Sequence, residues 1–139
     1  MEKLDYSAFA HALSQLQESL VYANSDLAKD AKLFAQFRNS AIQCFEYSYE
    51  LAYKTLKRRL EFDSPSPTAI DSMDFRELLR TGSEAGLIKN PAAWFNYRTL
   101  RNKTSHGYDS RVADEVFTAL PPFLIDAQAL LAAIAARSE

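Results

Sequence analysis

Every glycine and every proline in this 139-residue chain lies beyond residue 63. The first 62 residues therefore contain none of the strongest breakers of helical structure. A segment that long, with no turn chemistry of that kind, is confined to long helices. Within it, Phe9, Leu13, Leu16 and Leu20 step by four, three and four residues, the spacing of one helical face. Asp5 or Ser7 is placed to cap the start of this helix. Asn24-Ser25-Asp26 reads as a short turn, with Ser25 or Asp26 capping the next helix. That second helix is expected over residues 27–62, its core stripe being Phe34, Phe37, Ala41, Phe45, Ser48, Ala52, Leu56 and Leu60. Its length, roughly 54 Å at 1.5 Å per residue, suggests an element that reaches past its own domain to a partner subunit, or one with a concealed kink.

The remaining breakers divide the rest of the chain. Asp63-Ser64-Pro65-Ser66-Pro67 is a connector. A third helix is expected from Asp71 or Asp74 to Ala85, with Gly86 as a left-handed terminator and Leu87 as its hydrophobic follower. Asn90-Pro91 is a start signal, a capping side chain followed by proline at the first helical position. That fourth helix carries Trp94, Phe95, Tyr97 and Leu100 and ends near Gly107. The last helix begins near Asp109 or Ser110, and Pro121-Pro122 are expected to bend or split it. No strand pattern competes, so the fold class is all-α: one domain over residues 1–139, a bundle of about five helices.

Composition narrows the chemistry. One cysteine excludes a disulfide framework within the chain, and seventeen aromatics oppose disorder. A net charge of −2 argues against coating nucleic acid by charge alone. No stretch approaches 18 apolar residues and no secretory signal opens the chain, so no membrane association is expected and the cytoplasm is favoured. One Cys and two distant His do not make a zinc site, and the scattered glycines do not make a phosphate loop. No metal or cofactor is expected. Cys44 reads as a core thiol and His11 as a surface histidine. Glu46, Glu50 and Lys54 follow at four-residue intervals and read as a solvated salt-bridge face. Lys54 to Arg59 is a basic run fanning around the outside of its helix, either a solvated face or a surface for RNA or an acidic partner.

Residues 98–108 concentrate function: three cations, a histidine, an amide, three hydroxyls and a tyrosine at a helix end. Arg98 and Asn102, Arg101 and Ser105, and Asn102 and His106 are each four apart and share a face. Arg101 and His106 are about 140° apart on an ideal helix. They converge only if the helix ends near Ser105, or else they act across a subunit interface. Arginine forks onto phosphate and histidine moves protons at neutral pH. Together they suit RNA cleavage without a metal: His106 as acid or base, Arg101 against the charge developing on phosphorus. The competing reading is a helix C-terminus whose cations answer the helix dipole.

The run Arg101-Asn102-Lys103-Thr104-Ser105-His106-Gly107-Tyr108 resembles the Arg-x4-His-x-Tyr motif of HEPN-domain proteins. With Phe45 to Lys57 (FEYSYELAYKTLK) and Glu84-Ala85-Gly86-Leu87-Ile88, nearly the whole chain resembles the nucleotidyltransferase substrate-binding proteins and their relatives, the HepT-like toxins. The resemblance implies an antiparallel four- to five-helix bundle that dimerises, placing two Arg101 and two His106 in a shared cleft. It implies Asn102 as a residue that helps hold the site; Arg98, Lys103 and Ser105, from the same segment, are the candidate supporting or nucleotide-binding residues. It also implies Tyr108 as a tyrosine adenylylated by a cognate minimal nucleotidyltransferase. Two functions follow from it: a ribonuclease acting on RNA such as tRNA, or a non-catalytic subunit that binds the nucleotidyltransferase and its nucleotide.

Overall fold

A computed structural model describes residues 4–105 and 107–137, and the described residues are almost entirely helical. Helix α1 spans Ser7–Ala23; a single 3-10 turn follows at Asp26–Lys29; α2 spans Ala31–Asp63, α3 Pro67–Asp71, α4 Phe75–Glu84, α5 Pro91–Thr104 and α6 Ser110–Arg137. Helix α2 is the axis of the bundle. It packs against α1 and α6, and also meets α3, α4 and α5.

Side-chain oxygens set most helix starts. The Asp5 carboxylate accepts from the backbone N–H of Ser7. Asp74 accepts from Glu77 N–H, Asn90 from Ala93 N–H and Asp109 from Val112 N–H, each filling a donor that the first helical turn leaves open. Helix α2 departs from expectation here. Its cap is Asp30, which accepts from Lys32 at 2.9 Å and Leu33 at 3.1 Å. Leu27 belongs to the preceding 3-10 turn and is exposed. Gly86 and Gly107 both take positive φ, +80° and +83°, the left-handed conformation that ends a helix without a Cβ penalty.

Two further departures concern the C-terminal half. The short helix α3 occupies part of the expected connector, begun by Pro67 at its first position. Helix α6 is not split: it runs unbroken through Pro121 and Pro122, both exposed. The prolines have no N–H to offer the carbonyls of Phe117 and Thr118. By length and composition alone α6 is apolar enough to cross a membrane, a test that a core helix also passes. Its stripe of Ala113, Val116, Leu120, Phe123, Ala127, Leu130 and Ile134 is instead buried in the bundle.

The core follows the expected stripes. Phe9, Leu13, Leu16 and Leu20 of α1 and Ala41, Phe45, Ser48, Ala52, Leu56 and Leu60 of α2 are buried, whereas Phe34 and Phe37, near the α2 N-terminus, are half-buried. Phe123 lies at the centre of an aromatic cluster, its ring centroid 4.9 Å from Phe45, 5.1 Å from Tyr97 and 5.8 Å from Trp94. Edge-to-face contacts of this kind add to simple burial. Cys44 is half-buried, with its sulfur 3.6 Å from the Ser19 hydroxyl, and His11 is exposed. The basic run is not wholly solvated. Arg59 is 4% exposed and pairs with Asp63, and Lys57 pairs with Asp71 at 2.9 Å.

Candidate functional site

Helix α5 ends at Thr104, where the Ser105 N–H folds back onto the Asn102 carbonyl. The helix thus stops near Ser105, as expected from the glycine at 107. His106 itself lies outside the described residues.

Arg101 is anchored rather than free. Its two terminal nitrogens pair with Glu46 at 3.2 Å and Glu50 at 3.5 Å, both from α2. Its side chain is 22% exposed, and its Nε is buried with no hydrogen-bond partner among the described residues. Glu46 is 24% exposed, so the expected solvated Glu46–Glu50–Lys54 face is corrected: two of its carboxylates turn to an arginine on another helix. Such a pairing holds the guanidinium in one orientation and leaves its charge largely neutralised.

On one side of Arg101 opens a hollow of about 400 Å³, within the range of small-ligand sites. Tyr49, Glu50 and Tyr53 of α2 line it with Arg98, Arg101 and Asn102 of α5 and the capping Ser105. The expected face-sharing pairs, Arg98 with Asn102 and Arg101 with Ser105, are therefore brought together. Arg98 is fixed by aromatic contact, its guanidinium carbon 3.6 Å from the Phe75 ring centroid; cation–π contact holds such a group in place. Tyr49 is 6% exposed, and burial pushes its phenol up to about 12. It stays protonated throughout the physiological range. A second groove, of about 410 Å³, lies on the Glu46 side of Arg101.

Lys103 and Tyr108 do not line the first hollow. Lys103 pairs with Glu115 of α6 at 2.8 Å. Tyr108 borders a separate hollow of about 360 Å³ with Arg38, Asn39, Gly107 and Asp109. Burial raises the Tyr108 pKa, the Glu46 charge raises it further, and Arg38 opposes both. Arg38 is itself held to Asp114 at 2.9 Å.

Sequence reasoning missed Tyr49, Tyr53 and Arg38 and misassigned Glu46 and Glu50. A signal was present: residues 46, 49, 50 and 53 follow the i, i+3, i+4, i+7 pattern of one helical face. Residues 98, 101, 102 and 105 repeat it on α5. Two such faces meeting across a helix pair make the hollow.

Comparisons with known proteins bear on the family and the fold. The sequence profile described as nucleotidyltransferase substrate binding protein like matches residues 4–136. The "Probable ribonuclease HepT" of Haemophilus influenzae is 38% identical over 99 residues, 71% of this chain and 68% of that protein. The Haemophilus influenzae protein HI0074, described as having the fold of a substrate binding domain of a nucleotidyltransferase, superposes with a TM-score of 0.88 at 31% identity, covering 94% of this chain and 98% of that one. A Thermus thermophilus protein shares the fold at 23% identity, TM-score 0.71, over 91% of this chain and 98% of its own.

Proposed function

This chain belongs to the nucleotidyltransferase substrate binding protein-like family, and we propose that it is the HepT-like member of a toxin–antitoxin pair: a ribonuclease that works without a metal, partnered by a nucleotidyltransferase. The observation that carries this reading is Arg101, fixed at the end of α5 by two α2 carboxylates and facing a hollow it shares with Arg98, Asn102 and Ser105. A ribonuclease name on a relative 38% identical supports it.

In this mechanism the ribose 2′-oxygen attacks the adjoining phosphorus while one His106 takes its proton. The 5′-oxygen leaves with a proton from a second His106, contributed by a second copy of the chain. Arg101 stabilises the negative charge on the phosphoryl oxygens. The products are a 2′,3′-cyclic phosphate and a 5′-hydroxyl. Adenylylation of the Tyr108 hydroxyl by the nucleotidyltransferase adds an anionic, bulky group beside the site and closes it to RNA.

A second reading draws on the same ion pairs. With Glu46 and Glu50 already answering Arg101, an incoming phosphate has two carboxylates to displace. That suits a non-catalytic subunit in which Arg101 holds α5 to α2 and the chain docks on the nucleotidyltransferase to present or receive a nucleotide. Purified protein of confirmed unmodified mass, incubated with total tRNA in EDTA beside His106→Ala, separates the two. Cleavage by the wild type, with the variant reduced at least about 100-fold, supports the ribonuclease. Intact RNA with both proteins removes it and leaves the binding subunit. Sedimentation at micromolar concentration is expected to give about twice the chain mass of 15.7 kDa; a strict monomer contradicts the two-histidine mechanism.

A further inference from the structure

The hollow beside Arg101 has more chemistry than a phosphate needs. Arg98 and Arg101 supply two cations at its wall, yet Tyr53 contributes a half-buried ring and Glu50 a carboxylate. Glu50 is the looser of the two Arg101 partners, at 3.5 Å against 3.2 Å for Glu46, and its side chain is 51% exposed against 24%. A carboxylate on the wall of a phosphate site repels the phosphate. Glu50 already helps to hold Arg101, but at 3.5 Å and half exposed it keeps acceptor lone pairs free for donors on the same ligand.

We infer that this hollow is a nucleobase subsite selective for guanine, adjoining the phosphate position at Arg101. The inference rests on the reading of Arg101 as a phosphate ligand. An unstacked base is flat and apolar on its faces, and a tyrosine ring is a suitable surface for it. A volume of about 400 Å³ accommodates a single small ligand. Selectivity comes from Glu50. An ionised carboxylate has two acceptor oxygens and no donor. Guanine alone among the four bases presents two adjacent donors, N1–H and the N2 amino group, along its pairing edge. Adenine and cytosine set one amino group beside a ring nitrogen whose lone pair faces the carboxylate. Uracil flanks its one N–H with two carbonyl oxygens. Arg98, fixed over Phe75, then meets the backbone phosphate of the same nucleotide with no base preference.

Titration calorimetry with the four nucleoside 5′-monophosphates tests this on the intact protein, without requiring cleavage. GMP is expected to bind at least about tenfold more tightly than AMP, CMP or UMP, the scale of one good bidentate contact. Glu50→Gln should bring the four within about twofold of one another, and Tyr53→Ala should weaken all four. Glu46 still holds Arg101 in the Glu50 variant, and thermal melts verify that both variants remain folded. Equal binding of the four by the wild type, no binding of any, or a GMP preference that survives Glu50→Gln overturns the proposal. The tRNA assay stands apart from it. Cleavage with no bias towards guanosine overturns the subsite and leaves the ribonuclease; GMP selectivity without cleavage keeps the subsite and removes the ribonuclease.

Discussion

Through one carboxylate, Glu46 connects Arg101 to Tyr108. It pairs with the guanidinium at 3.2 Å, and its charge adds to burial in raising the Tyr108 phenol above its ordinary pKa of 10.0. At neutral pH Tyr108 is therefore a phenol, and any transfer onto its oxygen needs a base to remove the proton. Glu46→Gln is expected to move the Tyr108 pKa down towards 10, because a charge that disfavours the phenolate is gone. Arg38→Gln should move it up, because an opposing positive charge is gone. Carbon NMR of ring-labelled tyrosine, assigned with Tyr108→Phe, reads both shifts; an unchanged pKa in both variants contradicts this electrostatic link. At this scale the sequence was legible where the interaction is local. Arg98, Arg101, Asn102 and Ser105 are neighbours by helical spacing, and they do share the hollow. The partners of Arg101 were not legible. Lys54 is the nearest cation to Glu50 along the helix, and only the docking of α5 onto α2 shows that Arg101 takes its place.

Among the elements, the ends of helices were more readable than their interiors. Asn90-Pro91, Asp74, Gly86 and Asp109 act through hydrogen bonds or backbone angles within a few residues, and each stands where its chemistry places it. Pro121-Pro122 misled because their effect depends on what surrounds them. A proline pair costs α6 two backbone donors, but Leu120 and Phe123 on either side are fully buried, and tertiary packing outweighs local propensity. Phe123 is the residue to test. It touches the rings of Phe45 from α2 and of Trp94 and Tyr97 from α5, so it joins α6 to the two helices that build the site. Phe123→Ala is expected to cost about 3–5 kcal/mol, read by urea unfolding with the single Trp94 as reporter. A loss under about 1 kcal/mol contradicts its place at the centre of the cluster.

For the whole molecule, one clasp joins three helix ends that are far apart in sequence. Asp63, the last residue of α2, accepts from Arg59 one turn earlier at 3.1 Å and from Arg137, the last residue of α6, also at 3.1 Å. Arg137 in turn donates to the Ala85 carbonyl just past α4. The Arg59 hydrogen bond is the main reason that the Asp63 pKa falls below its ordinary 3.8; the Arg137 bond adds to it, and burial opposes both. The folded state thus favours the carboxylate. That preference stabilises the protein at pH values above about 4 and is lost as pH falls through the lower folded-state pKa. Asp63→Asn removes the charge at every pH. It should destabilise the protein at pH 7 by about 1–2 kcal/mol, the scale of hydrogen bonds to a charged group at a partly solvated site. The deficit should shrink as pH falls through the folded-state pKa, which lies below 3.8, because the wild-type carboxyl then also gains its proton. Urea midpoints of both proteins across a range from about pH 2.5 to about pH 7 trace the difference. A gap that stays constant with pH assigns the loss to altered packing and removes the ion-pair explanation. A gap that closes on the acid side identifies Asp63 as the charge that fastens α6 and the end of α4 to the long helix.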